Sequence, residues 1–182
     1  METTDMETIG IRLSNSELAD AQQSAALRFQ LARASGVEDK LIDKNRGGID
    51  SDVIGLKAEI AVANLLGTGF EPNRLGIDNG IDLFVDIGKG KQLGIQVKSS
   101  HSPKARWLLG TPHAKHEWDI TVFAKADEDP DVMTVVGWIS QEKYKRHLEQ
   151  VDLGHGAGPG VSIDHLSPMS GLWRFIQTRR YE

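Results

Sequence analysis

The run Gly80-Ile81-Asp82-Leu83-Phe84-Val85-Asp86, followed across Gly88-Lys89-Gly90 by Leu93-Gly94-Ile95-Gln96-Val97-Lys98, constrains this chain more than any other stretch. Polar and apolar residues alternate in both halves, and a strand's period of two puts Gln96 and Lys98 on one face with Val97 on the other. The Gly-Lys-Gly between them is a hairpin signal, so strands are expected at about 81–87 and 92–99. Two adjacent strands then bring an acid, an amide oxygen and an ammonium towards one spot. Core packing does not call for that combination, because a lysine buried without a partner loses its hydration. It suits a divalent cation with a water beside it.

The flanking sequence frames this hairpin with helices. Ser14-Asn15-Ser16-Glu17 reads as a capping box ahead of Leu18, Ala21, Ala25, Leu27, Phe29 and Leu31, which predicts a helix to about Ser35-Gly36. Residues 37–49 form a polar connection with room for a short helix around Lys40. A second helix is expected from Asp50-Ser51-Asp52 to Gly67. On it Glu59 shares a face with Gly55, Val62 and Leu66, in a segment apolar nearly all round. Two readings of Glu59 stand open: a carboxylate aimed at Asp82, Gln96 and Lys98, or one at the helix edge paired with Lys57 or a neighbouring strand. Gly55 would let the helix approach a sheet closely.

Beyond the hairpin, Pro103 ends the second strand and a short strand is expected around Arg106–Leu109. Trp118–Ala124 and Val132–Ile139 read as strands split by the Asp127–Asp131 turn, and Ser140 caps a helix from Gln141 to Gln150. The Gly-rich tail Asp152–Pro168 reads as an irregular loop, without the Gly-Lys-Ser/Thr ending of a phosphate-cradling one. Trp173–Ile176 is a last strand or helix, and Trp107 and Trp138 are expected in the core. The whole implies an α/β (α+β) chain, with a mixed central β-sheet flanked by helices. It is read as one domain over 1–182 with an N-terminal helical extension at about 1–48.

Composition narrows the chemistry. There is no Cys, which removes disulfides, thiolate zinc sites and cysteine nucleophiles. Met1 to Thr8 lacks the basic start and apolar run of a secretory signal, and no apolar run reaches bilayer length, so a cytoplasmic protein without a membrane partner is expected. A net charge of −5 argues against non-specific coating of nucleic acid. Yet Ile87 to His116 contains no Asp or Glu and carries Lys89, Lys91, Lys98, Lys104, Arg106 and Lys115. Within it Lys89, Lys91, Ser99, Ser100, His101, Lys104 and Arg106 are candidate nucleic-acid contacts, set against the plainer reading of a solvated hairpin with basic tips. His113 and His116 are three apart but lack further ligands at zinc spacing beyond Glu117. Asp78 and Asp86 compete with Asp82 and are expected to be solvated, and Ser99 and Ser100 have no base that would make either a nucleophile.

Magnesium takes hard oxygen ligands and keeps several waters, so few protein groups suffice to hold it. Asp82 is the natural first ligand. The Gln96 side-chain oxygen and the Val97 carbonyl could follow, with Glu59 binding directly or through water and Lys98 orienting a water or countering phosphoryl charge.

A helix with Glu59, a strand with Asp82 and a strand with Gln96-Val97-Lys98, in that order, resembles the PD-(D/E)xK nuclease superfamily. The resemblance spans about residues 52–172. It includes Gly55-Leu56-Lys57-Ala58-Glu59, Gly80-Ile81-Asp82, Val97-Lys98-Ser99-Ser100, Trp118-Asp119-Ile120, Val136-Gly137-Trp138-Ile139, Asp152-Leu153-Gly154 and Leu166-Ser167-Pro168-Met169. The wider layout also looks like that of a group of small, mostly phage- and bacteria-encoded members of the superfamily. The resemblance implies a restriction-endonuclease-like core, hydrolysis of DNA phosphodiester bonds with Mg2+ or Mn2+, and Glu59, Asp82, Gln96 and Lys98 as catalytic residues. A phage-encoded member would work in the bacterial host cytoplasm. Gln96 departs from the usual acid and removes a formal charge from the metal site. Two alternatives follow: an inactive module binding DNA or a phage or bacterial protein, and a homo-oligomer in contact through the helix at 14–35.

Overall fold

Strand β1 (Ile9–Arg12) opens the described chain and helix α1 (Asn15–Ala34) follows it at once. The computed structural model describes residues 7–34, 48–70, 80–110, 117–154 and 156–181. At the start of α1 the Ser14 N–H donates to Glu17 Oε2 at 2.7 Å, while Ser14 Oγ accepts from the Glu17 N–H at 3.3 Å. These are the two reciprocal bonds of a capping box. Helix α2 (Gly48–Leu66) runs antiparallel to α1, since the Asn64 amide donates to Glu17 Oε1 at 2.7 Å and Glu59 meets Arg28 further along. The short helix expected around Lys40 lies outside the described residues.

The central sheet holds β2 (Leu83–Asp86), β3 (Gln92–Ser100), β5 (Ile120–Ala126) and β6 (Val132–Ser140) beside β1, in the order β1-β6-β5-β3-β2. All neighbours are antiparallel except β3 and β5, so the sheet is mixed. One face carries Leu83, Val85, Leu93, Ile95, Ile120, Val122 and Ala124 against Leu56, Ile60 and Ala63 of α2 and Ala21 and Ala25 of α1. Helix α4 (Met169–Tyr181) adds Leu172 and Ile176 to the same core. The other face turns Phe123, Val136 and Ile139 towards Trp118, Tyr144, Leu108 and Val161. The expected mixed sheet flanked by helices is therefore present. No helix among the described residues is long and apolar enough to cross a membrane.

Strand β1 had no counterpart in the sequence reading. It is four residues long and gains its hydrogen bonds only by pairing with distant β6, Ile9 opposite Val135. The tail expected to be an irregular loop instead builds a second sheet, β4-β8-β7, from β4 (Trp107–Leu109), β8 (Ala157–Ser162) and β7 (Glu149–Asp152). Helix α3 (Gln141–His147) accordingly stops short of Gln150, which belongs to β7. Its expected cap is in place, with Ser140 Oγ accepting from the Lys143 N–H at 3.3 Å. Pro159 is tolerated inside the central strand of this sheet for a local reason. Its carbonyl accepts from the Gly110 N–H at 2.8 Å, so its missing N–H faces the same side, where β4 has already ended.

The tryptophans are redistributed as well. Trp118 is the fully buried one, while Trp107 and Trp138 are only half-buried. Trp138 is held by its surroundings: its indole N–H donates to the Pro168 carbonyl at 3.1 Å, and its backbone exchanges hydrogen bonds with Ser167 at 2.9 and 2.8 Å. A Cβ on Gly137 would stand 2.6 Å from the Ser167 carbonyl oxygen, so only glycine admits this approach. The Gly-Trp-Ile and Leu-Ser-Pro motifs are thus two halves of one contact.

Candidate functional site

Asp82 sits one residue ahead of β2, where the hairpin register of Leu83 with Ile95 gives out. Its N–H donates to the Ile95 carbonyl at 2.8 Å, and its carboxylate oxygen Oδ2 accepts from the Val97 N–H at 2.6 Å. The carboxylate thus replaces the main-chain acceptor that a longer β2 would have offered, through a short charge-assisted bond. The N–H and C=O of one strand residue point to the same side, so the Val97 carbonyl faces this same edge. Two oxygen donors of different kinds therefore border the end of the hairpin.

Gln96 and Lys98 alternate onto the sheet face away from α2, beside Thr121 and Phe123 of β5. Gln96 is buried, and a Cβ on Gly80 would lie 3.1 Å from its Nε2 and 3.5 Å from the Trp118 ring. Gly80 has φ +82°, which suits glycine, so the Gly-Ile-Asp motif brings the chain across Gln96. Thr121 is wholly buried beside it, and its hydroxyl has no hydrogen-bond partner among the described residues. Lys98 is half-buried. Burial pushes its pKa down from the usual lysine range, and the Asp82 carboxylate pulls the other way.

Glu59 is buried to 8% exposure on α2, which packs against the face bearing Ile95 and Val97. Its Oε1 lies 3.6 Å from a terminal nitrogen of Arg28 on α1. Lys57, the partner weighed for it in the sequence, donates instead to the Pro130 carbonyl. The structure thus gathers Asp82 and Val97 at the strand end with Lys98 in electrostatic reach of Asp82, and it joins Glu59 to a residue from outside the resembling region. Ala21, Ala25 and Arg28 fall at i, i+4 and i+7, a small-residue stripe leading to a cation, which is the signal that would have found Arg28.

The acid-free basic stretch does not form one surface. Lys89 and Lys91 stand at the Gln92 end of β3 and Lys98 near its Ser100 end, and the rise along the strand from Lys91 to Lys98 is about 23 Å. At the hairpin, Lys89 has φ 53° and Gly90 φ 70°, with the Lys91 N–H on the Gly88 carbonyl at 3.0 Å, which is a type I′ turn. Asp86 is exposed there and accepts from the Gly88 N–H at 2.7 Å. At the far end Ser99 and Ser100 are half-buried, Ser100 Oγ accepts from the Ser102 N–H at 3.2 Å, and Lys104 is exposed. His101 Nε2 and Ser51 Oγ of α2 lie 3.5 Å apart. Arg106 pairs with Asp164 at 2.7 Å, both well exposed. Asp78, His113, Lys115 and His116 lie outside the described residues.

Among the described residues no group of three or more His, Asp or Glu side chains is arranged so that it could hold a metal ion. The donors at hand are hard oxygens from Asp82, the Val97 carbonyl and the Gln96 amide. That is a set magnesium accepts when water and substrate complete its shell. In comparisons with known proteins, no family model matches this chain, and neither a curated protein nor a solved structure does.

Proposed function

We propose that this chain is a metal-dependent nuclease that hydrolyses DNA phosphodiester bonds, as the PD-(D/E)xK superfamily it resembles does. The observation that carries this reading is the Asp82 carboxylate held at the Val97 N–H, with the half-buried Lys98 within its electrostatic reach. Asp82, the Val97 carbonyl and Gln96 would hold Mg2+ or Mn2+, with Glu59 acting through a water. The bound ion would supply counter-charge to the phosphoryl oxygens and an acidified water. Lys98 is suited to move a proton or meet a phosphate, because burial disfavours its ammonium more than the Asp82 carboxylate favours it, and a second anion would favour it further. Asp82 then has two tasks, fixing the strand end and favouring the charged form of Lys98.

Cleavage of linear, nicked, branched and single-stranded DNAs with magnesium or manganese, run beside Asp82→Ala and Lys98→Ala, tests the proposal. Metal-dependent cutting that both variants lose supports it. A second reading, an inactive module of the same fold that binds DNA or a protein partner, draws on the Arg28 contact of Glu59 and on the uncharged Gln96. It becomes the better account if the wild type binds DNA or metal and cuts none of the substrates.

A further inference from the structure

Helix α4 carries Arg174, Arg179 and Arg180 and no acid from Met169 to Tyr181, in a chain whose net charge is −5. Its C-terminal turn meets the β2–β3 hairpin: Arg180 Nε donates to the Asp86 carbonyl at 2.8 Å, and a Cβ on Gly88 would stand 3.1 Å from the Arg180 backbone. The exposed Lys89 and Lys91 therefore adjoin the α4 arginines, far along β3 from Lys98. Between α4 and β6 lies a cleft of about 520 Å³ lined by Trp138, Gly171, Arg174, Phe175, Thr178 and Arg179. In it the Trp138 and Phe175 rings are 6.5 Å apart and inclined by 31°, and the Arg179 guanidinium lies 5.4 Å from the Phe175 ring centre.

We propose that this cleft, extended by Lys89 and Lys91, binds a single strand of nucleic acid. Two independent features point to that ligand. The first is charge: two arginines line the cleft, and Arg180, Lys89 and Lys91 lie on the helix end and the hairpin that it meets, a local complement to a phosphate backbone in an otherwise acidic chain. The second is the placement of aromatic rings between those cations. Bases of any identity stack on such rings while their phosphates follow the arginines, and Arg179 already stands over a ring. An acidic peptide would use the cations and leave the rings without a role. A duplex keeps its bases stacked on one another and out of reach of Trp138 and Phe175.

The cleft is separate from the Asp82 site. Trp138 shares a ladder row and a sheet face with Val122 and Val97, whereas Lys98 points to the opposite face. Binding here does not require that Asp82 and Lys98 cut anything.

The test is fluorescence anisotropy of a labelled oligodeoxythymidine with the full chain in EDTA, so that cleavage cannot intervene. Arg174→Ala combined with Arg179→Ala should weaken binding at least about tenfold and flatten the dependence of log affinity on log salt by about 1.4, two phosphate contacts' worth for a single strand. Phe175→Leu, which keeps an apolar side chain there, should weaken binding about fivefold through lost stacking. Lys145→Ala, on the exposed side of α3, should bind as wild type does, and circular dichroism shows that each variant is folded. Equal affinity of wild type and the double arginine variant overturns the proposal. So does equal binding of a duplex, or displacement of the oligomer by polyglutamate at matched charge. A wild type that binds the oligomer yet cuts no DNA with magnesium defeats the nuclease reading alone.

Discussion

Strand β3 ends in two different kinds of lysine. At its Gln92 end Lys89 and Lys91 stand in solvent on a type I′ turn, next to the arginines of α4. At its Ser100 end Lys98 is half-buried, its charge disfavoured by the protein around it and favoured by one carboxylate, Asp82. In the sequence these residues belong to one acid-free basic run. An exposed lysine contributes to a field that salt screens and that neighbours can replace, whereas a buried lysine has few partners and its state depends on each of them. Chemistry that needs a poised proton belongs at the second end, and attraction of a polyanion at the first.

The largest effect expected from this contrast is on cleavage. Asp82→Ala or Lys98→Ala should lower it at least about a hundredfold, the scale seen when a group that stabilises transition-state charge is removed. Lys89→Ala combined with Lys91→Ala should stay within about tenfold and act through substrate affinity at low salt. Initial rates on one DNA at two salt concentrations distinguish the ends. A hairpin variant as inactive as Lys98→Ala would break the comparison.

The hairpin, both long helices and the turn at Asp127–Asp131 were legible because each rests on local signals: period-two alternation, a capping box, a Gly-Lys-Gly turn. What the sequence concealed depends on contacts between distant segments. Strand β1 exists through its register with β6, and the second sheet joins residues 107–109 to 149–162, whose glycines and Pro159 lack any strand propensity. The candidate site was legible only as residue types on neighbouring strands. Only the fold could reveal that Asp82 bonds to the Val97 N–H, that Gln96 and Lys98 lie on the face away from α2, and that Glu59 keeps company with Arg28.

Stability should follow the same division. Gly137 lies in the row of strands behind the Lys98 end, and a Cβ there meets a backbone oxygen that cannot swing away. Gly137→Ala should cost about 3 kcal/mol, as overpacking of a tight core does. Gly90 at the hairpin has open space around its Cβ position but φ +70°, so Gly90→Ala should cost only about 1 kcal/mol of backbone strain. Urea unfolding of both variants measures the pair, and equal costs would mean that the segment at Ser167 yields where Trp138 holds it.

The smallest effect concerns Lys98 itself, and its sign is the informative part. Burial lowers the native-state pKa of Lys98 below its unfolded value, so the native protein holds this proton less tightly than the unfolded chain. Below the lowered pKa the ammonium is present and subtracts from stability. As pH rises through the lowered pKa towards the unfolded value of 10.5, the penalty disappears. Lys98→Met keeps the stem's volume without the charge, and near neutral pH it should unfold at a temperature no lower than wild type, with a gain of up to about 1 kcal/mol. That gain should shrink towards alkaline pH as wild-type Lys98 loses its proton. Thermal melts of both proteins across that range provide the check. If Lys98→Met is the less stable protein at neutral pH, the attraction of Asp82 outweighs burial, and Lys98 is better described as half of a structural ion pair than as a group kept poised for a phosphate.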